Sequence, residues 1–380
     1  MDSAAFETLL AQAISARLPL FDPQHQLPCR LLNGFLEGEP RLVIDLYAMT
    51  VVLHNYANPP EDGNELIARA QQVVQGLLPW VQTVLLKVRR SSLPAERNGR
   101  ILAGERLATR VREHGVWYAI DLTMNRDTSF YLDTRNLRHW AIRNLEGRSV
   151  LNTFAYTGSL GVAAQAGGAA RVVHLDLNRH FLNVAKTSYT LNGFPINKAD
   201  FQAGDFWPQI SQLNRKGERF DCVFLDPPFF AASDKGVVDL ERNYIKLINK
   251  VRPLINDGGV LAAINNALFL AGADYMRMLD SVCADGYVQL EELIPVPEDS
   301  TGYPQTRCTV PMIDPAPFNH ATKIAILRIR RKKTRVASIA PDVPDSIGQL
   351  RPCYDQRTRL SRLHERLIHG TIGLASPIDV

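Results

Sequence analysis

Three aspartates stand at or just after the ends of successive apolar segments. Asp176 lies in "VVHLDL", Asp205 follows "FQAG", and Asp226 ends "CVFLD". One acid in such a place is most often a helix cap or a turn residue. Three in succession are harder to explain as caps, because ligands of α/β proteins bind at the carboxyl ends of the strands. Carboxylates there can accept hydrogen bonds from hydroxyl and amino groups.

The segment "NTFAYTGSLG" before the first of these acids narrows the class of ligand. Asp176 can accept from both hydroxyls of a ribose, and Asp205 from an adenine amino group while Phe206 packs on the adenine face. A nicotinamide dinucleotide is one candidate, but "YTGSLG" lacks the GxGxxG spacing that brings backbone close to a pyrophosphate. A ligand with a ribose and no pyrophosphate is favoured, and S-adenosylmethionine meets that description.

The third acid opens the motif "DPPFF", residues 226–230. Pro227 and Pro228 lack an N–H and stiffen the strand exit, which leaves carbonyls free to accept from the amino group or ring N–H of a base. Phe229 and Phe230 can stack on a base turned out of its helix. The competing interpretation is a rigid strand end with two core phenylalanines.

The elements around these motifs alternate from residue 149 onward. "SVLNTF", "VVHLDL", "FQAGDF", "DCVFLDPP" and "GVLAAINN" have the character of strands, and the segments between them are helical. Such alternation predicts an α/β, doubly wound, Rossmann-like sheet. The predicted organisation is an N-terminal helix over 1–27, a small α+β domain over 28–113 with possible RNA contact, a ligand-binding domain over 114–332 and a basic tail over 333–380.

Composition favours a multidomain globular protein with an uneven charge. The chain has 380 residues, 46% hydrophobic and 22% charged, and a net charge of +4. From Lys323 to Gly370 there are twelve Lys and Arg against four Asp and Glu, and from Leu86 to Glu113 eight against three. A polyanionic partner and a merely solvated basic surface both explain these segments.

The five cysteines are scattered without a CxxC pair, which argues against a disulfide framework and against a metal site. A reducing, cytoplasmic location fits this usage. The first twenty residues lack the basic start of a secretory signal, and no segment is long and apolar enough to suggest membrane insertion. The oligomeric state is left open between monomer and homodimer.

Taken together, "VLNTFAYTGSLGVAAQAGG", "VVHLDLN", "GDF" and "FDCVFLDPPFF" resemble the class I methyltransferases that modify large-subunit ribosomal RNA. "RLLNGFLEGEPRLVIDLY" resembles their small central domain, and "AIDLTMNRDTSFYLDTRNLR" the segment that leads into the catalytic domain. The resemblance implies an S-adenosylmethionine site in which Tyr131, Asp133 and Arg135 close over the ligand. The other implied site residues are Phe154, Tyr156, Thr157, Gly158, Asp176, Asn178, Asp205, Phe206 and Asp226.

Two departures from the family pattern shape the prediction. Many relatives begin with a PUA RNA-binding domain, whereas a single helix stands here, and the basic tail is a candidate substitute. Cytosine-C5 members resemble one another in a nucleophilic cysteine after the strand that follows DPP. Here "GVLAAINNALF" carries Asn265 and Asn266 instead, similar to the guanine-N7 domain of bifunctional members. Cys308 and Cys283 are the remaining, weaker candidates.

The sequence therefore predicts an enzyme that uses S-adenosylmethionine to methylate a base of RNA, with ribosomal RNA as the expected partner and a purine nitrogen, guanine N7-like, as the acceptor. Nitrogen has its own lone pair, so positioning and exclusion of water suffice without a covalent step. The alternatives are a cytosine-C5 RNA methyltransferase, a methyltransferase acting on a protein or small molecule, and a non-catalytic RNA-binding protein with this fold.

Overall fold

The structure is a computed structural model that describes residues 3–233, 236–240 and 243–331; the side chains of residues 230–233 are not described. The predicted basic tail over 333–380 lies outside the described residues, and so does the predicted stacking of the Phe230 side chain.

The first part of the chain builds a small sheet with three helices. Its elements in chain order are α1 (Ser3–Arg17), β1 (Pro28–Leu32), β2 (Leu42–Tyr47), β3 (Thr50–Asn55), α2 (Asn64–Leu77), β4 (Thr83–Val88), α3 (Pro94–Asn98), β5 (Arg100–Ala103), β6 (Arg110–Glu113) and β7 (Val116–Ala119). Strands β1 to β5 form one sheet in sequence order, and β6 and β7 form a separate hairpin. The predicted domain boundary, after residue 113, falls within this hairpin, where β6 ends.

Strands β3 and β4 lie inside the small sheet and are buried along their whole length. They are the one parallel pair of this sheet, because α2 connects them as a crossover. Their β-branched and leucine side chains alternate between two apolar cores. Val51 and Val84 pack with helices α1 and α2, while Val52 and Leu85 face the rest of the protein.

The second part of the chain builds the larger sheet. Its elements are α4 (Arg135–Asn144), β8 (Ser149–Thr153), α5 (Ser159–Ala166), β9 (Arg171–Asp176), α6 (Arg179–Leu191), β10 (Phe201–Ala203), α7 (Phe206–Arg215), β11 (Phe220–Leu225), β12 (Phe230–Ser233), β13 (Gly236–Asp239), α8 (Tyr244–Val251), β14 (Ile255–Asn265), α9 (Gly272–Cys283), β15 (Val288–Leu293), α10 (Glu298–Thr301) and β16 (Lys323–Ile329). Single 3-10 turns occur at Leu18–Leu20, Pro60–Gly63, Lys198–Asp200 and Arg252–Leu254.

The large sheet has seven strands in the order β10-β9-β8-β11-β14-β16-β15. The first five are parallel, which confirms the predicted α/β doubly wound class. Strand β15 follows helix α9 and runs in the same direction as these five, so of the seven strands only β16 is reversed. Strand β16 runs antiparallel between β14 and β15, because the long connection from β15 returns the chain without a crossover helix.

Helices cover both faces of the large sheet. One face packs on α7, α8 and α9, and the other on α4 and α5. A further core joins the two sheets, since Val52 and Leu85 of the small sheet share it with Leu182 and Tyr189 of α6. The strand order reverses between β8 and β11, and ligands of such sheets bind at the carboxyl side of that point.

Candidate functional site

A cavity of about 990 Å³ opens at the carboxyl ends of β8, β9, β10, β11 and β14. The sequence-predicted residues that line it are Tyr131, Asp133, Phe154, Tyr156, Thr157, Asp176, Asp205, Phe206, Asp226, Pro227, Pro228 and Phe229. A smaller depression of about 240 Å³ lies at the opposite edge of the sheet, beside Asp221, Gly258 and Arg328. It contains none of the predicted residues.

The turn after β8 holds an unusual backbone. Phe154 and Tyr156 both have φ of 51°, a region that non-glycine residues seldom occupy and that is frequent at functional sites. Gly158 follows with φ of 81° and precedes helix α5. A Cβ on Gly158 would lie 2.6 Å from the Ala185 Cβ, so this glycine permits close packing beneath the turn. Gly158 thus shapes the site from outside the cavity wall.

Asp176, at the end of β9, is held in place by two backbone groups. Its Oδ2 accepts from the Tyr156 N–H at 2.8 Å, and its Oδ1 accepts from the Asn178 N–H at 2.8 Å. Burial raises the pKa of Asp176, and the backbone hydrogen bonds oppose that rise. Each oxygen keeps a lone pair for a ligand hydroxyl. Asn178 itself is exposed and caps α6 by accepting from the His180 N–H, away from the cavity wall.

Asp205 has a capping role and a cavity-facing role together. Its Oδ1 accepts from the Trp207 N–H at 2.9 Å at the start of α7. The Phe206 ring stacks on the Phe154 ring, with centroids 4.6 Å apart and planes 23° from parallel. Trp207 also lines the cavity, and its buried Nε1 has no hydrogen-bond partner in the described structure.

The segment before α4 closes against the turn after β8. Thr157 Oγ1 donates to the Ser129 carbonyl at 2.5 Å, and the Tyr156 hydroxyl donates to the Thr128 carbonyl at 3.3 Å. The Tyr131 ring lies 5.4 Å from the Tyr156 ring and is 44% exposed at the mouth of the cavity. This segment therefore contacts the turn after β8, and the closing of Tyr131 and Asp133 over the cofactor stays a prediction.

Arg135 is not brought to the cavity. Its guanidinium is buried and binds both oxygens of Asp299, at 2.8 and 3.0 Å, and Glu113 at 3.3 Å. It also donates to the Pro28 carbonyl at 2.7 Å. Neither Arg135 nor these two acids line the cavity, so the predicted contact of Arg135 with the cofactor is corrected to a buried ion pair.

Asp226 follows β11 at the switch point of the sheet. Burial first, and then the negative charge of Asp133, raise its pKa from 3.8 to about 7. Asp133 accepts from Thr322 Oγ1 at 2.7 Å. Pro227 and Pro228 line the cavity, and Phe229 is 46% exposed at its rim. The motif thus presents one carboxyl group and one aromatic ring to the same space.

The two asparagines at the end of β14, Asn265 and Asn266, have different surroundings. Asn265 is buried, donates to the Leu240 carbonyl and accepts from the Ala267 N–H, so it holds a turn. Asn266 lines the cavity, and its buried Oδ1 has no partner in the described structure. Of the pair, only Asn266 has an amide oxygen free for a ligand.

No cysteine of the described chain lines the cavity. Cys29 and Cys222 are buried in the two sheets, Cys283 ends α9, and Cys308 is exposed elsewhere. Burial raises the pKa of Cys283, which disfavours a thiolate. In residues 3–233, 236–240 and 243–331, no His, Cys, Asp and Glu side chains cluster as metal ligands. Among the helices described, none combines the length and apolar character that crossing a bilayer requires.

Several cavity residues carry no local signal in the sequence. They are Tyr56, Arg89, Arg126, Asn152, His320 and Thr322. Burial lowers the pKa of His320 to about 4. His320 Nδ1 accepts from the Thr322 N–H at 3.0 Å, so the neutral ring carries its proton on Nε2 and is a hydrogen-bond donor. For Tyr56 and Arg89, the strand–helix–strand pattern over 50–88 predicts a parallel pair whose carboxyl ends meet.

Comparison with known proteins identifies the family of this chain. Residues 64–301 match the model of a family described as S-adenosylmethionine-dependent methyltransferase. The chain is 30% identical over 312 residues to ribosomal RNA large subunit methyltransferase I of Aeromonas salmonicida, covering 80% of this chain and 78% of that protein. It is 27% identical to the protein of the same name from Photobacterium profundum, over 69% of this chain and 66% of that one.

The fold has solved counterparts. A crystal structure of SMU.776, described as a methyltransferase complexed with SAH, superposes with a TM-score of 0.75 at 20% identity, covering 87% of this chain and 82% of that one. At this identity the likeness concerns the fold alone.

Proposed function

We propose that this chain, which belongs to the S-adenosylmethionine-dependent methyltransferase family, methylates a base of large-subunit ribosomal RNA at a purine nitrogen, with guanine N7 favoured. The names of the relatives support RNA as the substrate class. The cavity supports the choice of atom, because it offers positioning groups and, in the described chain, no cysteine nucleophile.

The residues of the cavity fit the cofactor. Asp176 keeps lone pairs for ribose hydroxyls, and the Phe154 and Phe206 rings offer an apolar stack beside Asp205 for an adenine. Asn152 is buried on β8 with an unpartnered Nδ2, a donor that a bound polar group would satisfy. When bound, S-adenosylmethionine supplies an electrophilic methyl group on a sulfonium, whose positive charge suits a cavity lined by five aspartates.

The observation that carries the proposal is the position of Asp226 beside Pro227 and Phe229 on the cavity wall. The carboxylate, the proline carbonyl and the Asn266 Oδ1 are acceptors, and they suit a base edge that presents ring N–H and amino donors. The Watson–Crick edge of guanine has both, together with a carbonyl oxygen that the His320 Nε2–H can reach as donor. An adenine edge has no such carbonyl.

Holding guanine by this edge leaves N7 directed elsewhere, with its own lone pair for the new N–C bond. No proton leaves N7 in that reaction, so the site needs no general base. The base gains a positive charge as the bond forms, and the carboxylates of Asp133 and Asp226 stabilise it electrostatically. Phe229 and Tyr131 at the cavity mouth stack on the base and exclude water.

The test is methyl transfer by the purified enzyme. Tritium-labelled S-adenosylmethionine is incubated with the enzyme and unmodified large-subunit ribosomal RNA, transfer RNA or the total protein of a cell extract. We expect label in ribosomal RNA and its loss with Asp226→Ala. Label confined to protein, or none in ribosomal RNA, would contradict the proposed substrate.

A further inference from the structure

The cavity has two chemically different walls. Asp176, Asp205 and Asp226 follow strands of the large sheet, and Asp133, from the segment before α4, accepts from Thr322 just before β16. The facing side contains Arg89 and Arg126, the ring of Tyr56, and one acid, Asp127, which pairs with Arg89. A sulfonium is attracted to the acidic wall, whereas a phosphate group is repelled by it and attracted to the basic one.

The parallel pairing of β3 and β4 places Tyr56 and Arg89 side by side. Asn55 pairs with Val88 at the last step of the ladder, and the Arg89 N–H donates to the Asn55 carbonyl at 2.9 Å. Tyr56 and Arg89 follow directly. The Arg89 guanidinium carbon lies 5.5 Å from the Tyr56 ring centroid, and the ring is 38% exposed. The small sheet thus presents an aromatic face and a cation to the cavity.

Arg126 completes this wall from the segment before α4. Its Nη2 donates to the Arg89 carbonyl at 3.2 Å, and Arg89 Nη1 donates to the Arg126 carbonyl. Arg89 Nη2 binds Asp127 Oδ1 at 2.7 Å, so the charge of Arg89 is compensated. Arg126 is exposed and, within the described part of the chain, has no ion pair. The buried Nε of Arg89 also has no partner there.

A buried lysine fixes the loop that carries Arg126. Lys87 Nζ donates to the carbonyls of Asn98 and Asn125 at 2.8 Å and of Asp127 at 3.2 Å. Asn125 Nδ2 in turn donates to the Tyr156 hydroxyl at 3.0 Å. The loop is therefore held between the small sheet and the turn after β8, so Arg126 is displayed from a fixed backbone.

We propose that Tyr56, Arg89 and Arg126 form an RNA subsite, in which Tyr56 stacks on a nucleotide adjacent to the methylated one and the two arginines bind its phosphate. The assignment rests on the proposed function, because it takes RNA as the substrate. It also gives a role to the basic segment over 86–113, from which Arg89 comes. The Arg126 cation and the exposed Tyr56 ring lie on the same cavity wall, and a cation together with an aromatic ring is the chemistry that binds single-stranded nucleic acid.

The experiment measures binding of a fluorescein-labelled single-stranded RNA oligonucleotide by anisotropy, across a series of potassium chloride concentrations. Arg126→Gln should weaken binding about ten-fold and lower the slope of log affinity against log salt by about 1, as one phosphate contact requires. Tyr56→Leu should weaken binding about five-fold or more, whereas Tyr56→Phe keeps the stacking ring and should bind like wild type.

Arg90→Gln is the matched control, since Arg90 is exposed, adjacent in sequence and outside the cavity wall. It should keep the affinity within about two-fold. Equal loss with Arg90→Gln, or unchanged binding by Arg126→Gln, would overturn the subsite. The subsite would also be overturned if Arg126→Gln lowered the affinity for S-adenosylmethionine and left RNA binding unchanged. In that case the arginine would hold the carboxylate of the cofactor. Wild-type methyl transfer is assayed in parallel, and its absence would contradict the proposed function instead.

Discussion

The Asp176 carboxylate and the backbone of Tyr156 are joined by a hydrogen bond of 2.8 Å, which ties the end of β9 to the turn after β8. The second oxygen of Asp176 is fixed by the Asn178 N–H at the same distance. Because two neighbouring turns already orient this carboxylate, it loses little conformational entropy when a ligand binds. The left-handed backbone at Tyr156 is stabilised by the same contact.

Replacing Asp176 by Asn should weaken S-adenosylmethionine binding by about ten- to a hundred-fold, because a charge-assisted hydrogen bond contributes roughly 1.5–3 kcal/mol. The substitution keeps the shape of the side chain. Titration calorimetry measures the affinity, with Asp274→Asn on helix α9, outside the cavity wall, as the control for lost charge. Unchanged affinity in Asp176→Asn would remove this residue from the cofactor site.

The acids of the site could be located from sequence because each follows a strand of a parallel sheet, and such strand ends share one edge. The motif "DPPFF" placed Asp226, Pro227 and Phe229 on the cavity wall by the same logic. The directions of individual side chains could not be inferred in this way. Arg135 follows "FYLDT", yet its guanidinium binds Asp299, which is 164 residues distant in sequence.

The opposite wall required tertiary information. Tyr56 and Arg89 reach the cavity because the small sheet packs on helix α6 through Val52 and Leu85, and no local pattern states where that sheet docks. His320 and Thr322 lie in an irregular connection before β16, so neither periodicity nor spacing marks them. The alternation of strands and helices up to β14 predicts parallel strands. It does not predict that a later strand, β16, inserts between β14 and β15 in the opposite direction.

Replacing Asp226 by Asn should raise thermal stability more at high pH than at low pH. Burial raises the pKa of the Asp226 carboxyl from 3.8 to about 7 in the folded protein, so this group stays protonated up to about pH 7. The unfolded chain therefore binds fewer protons between these values, and this group's contribution to the free energy of unfolding falls as the pH rises through that range. The difference in Tm, variant minus wild type, should increase from pH 5 to pH 7 and then level off. A difference independent of pH would contradict the buried charge.

Replacing Arg135 by Met should lower the free energy of unfolding by about 3–5 kcal/mol, because the buried Asp299 would lose the cation it pairs with, whereas Glu113 would keep Arg138. Urea denaturation measures this loss. Arg69→Met is the control, since the Arg69–Glu65 pair is on the surface and should contribute less than about 1 kcal/mol. Folded Arg135→Met should bind S-adenosylmethionine like wild type, and a selective loss of cofactor affinity would restore Arg135 to the site.

Replacing Cys283 and Cys308 together by Ala should leave methyl transfer within about a few-fold of wild type, because neither sulfur lines the cavity and no nucleophile is needed. The rate is measured with ribosomal RNA under single-turnover conditions. A complementary assay mixes the wild-type enzyme with RNA containing 5-fluorocytosine and searches for a covalent adduct on a denaturing gel. Loss of activity in the double variant, or a trapped adduct, would favour cytosine-C5 chemistry.

The central claim, guanine N7 methylation of ribosomal RNA, is tested most directly by nucleoside mass spectrometry. Unmodified large-subunit ribosomal RNA is incubated with the enzyme and S-adenosylmethionine, digested to nucleosides and compared with a reaction containing Asp226→Asn. We expect 7-methylguanosine with the wild-type enzyme and none with the variant. Formation of 5-methylcytosine in its place, or the absence of any methylated nucleoside, would contradict the account.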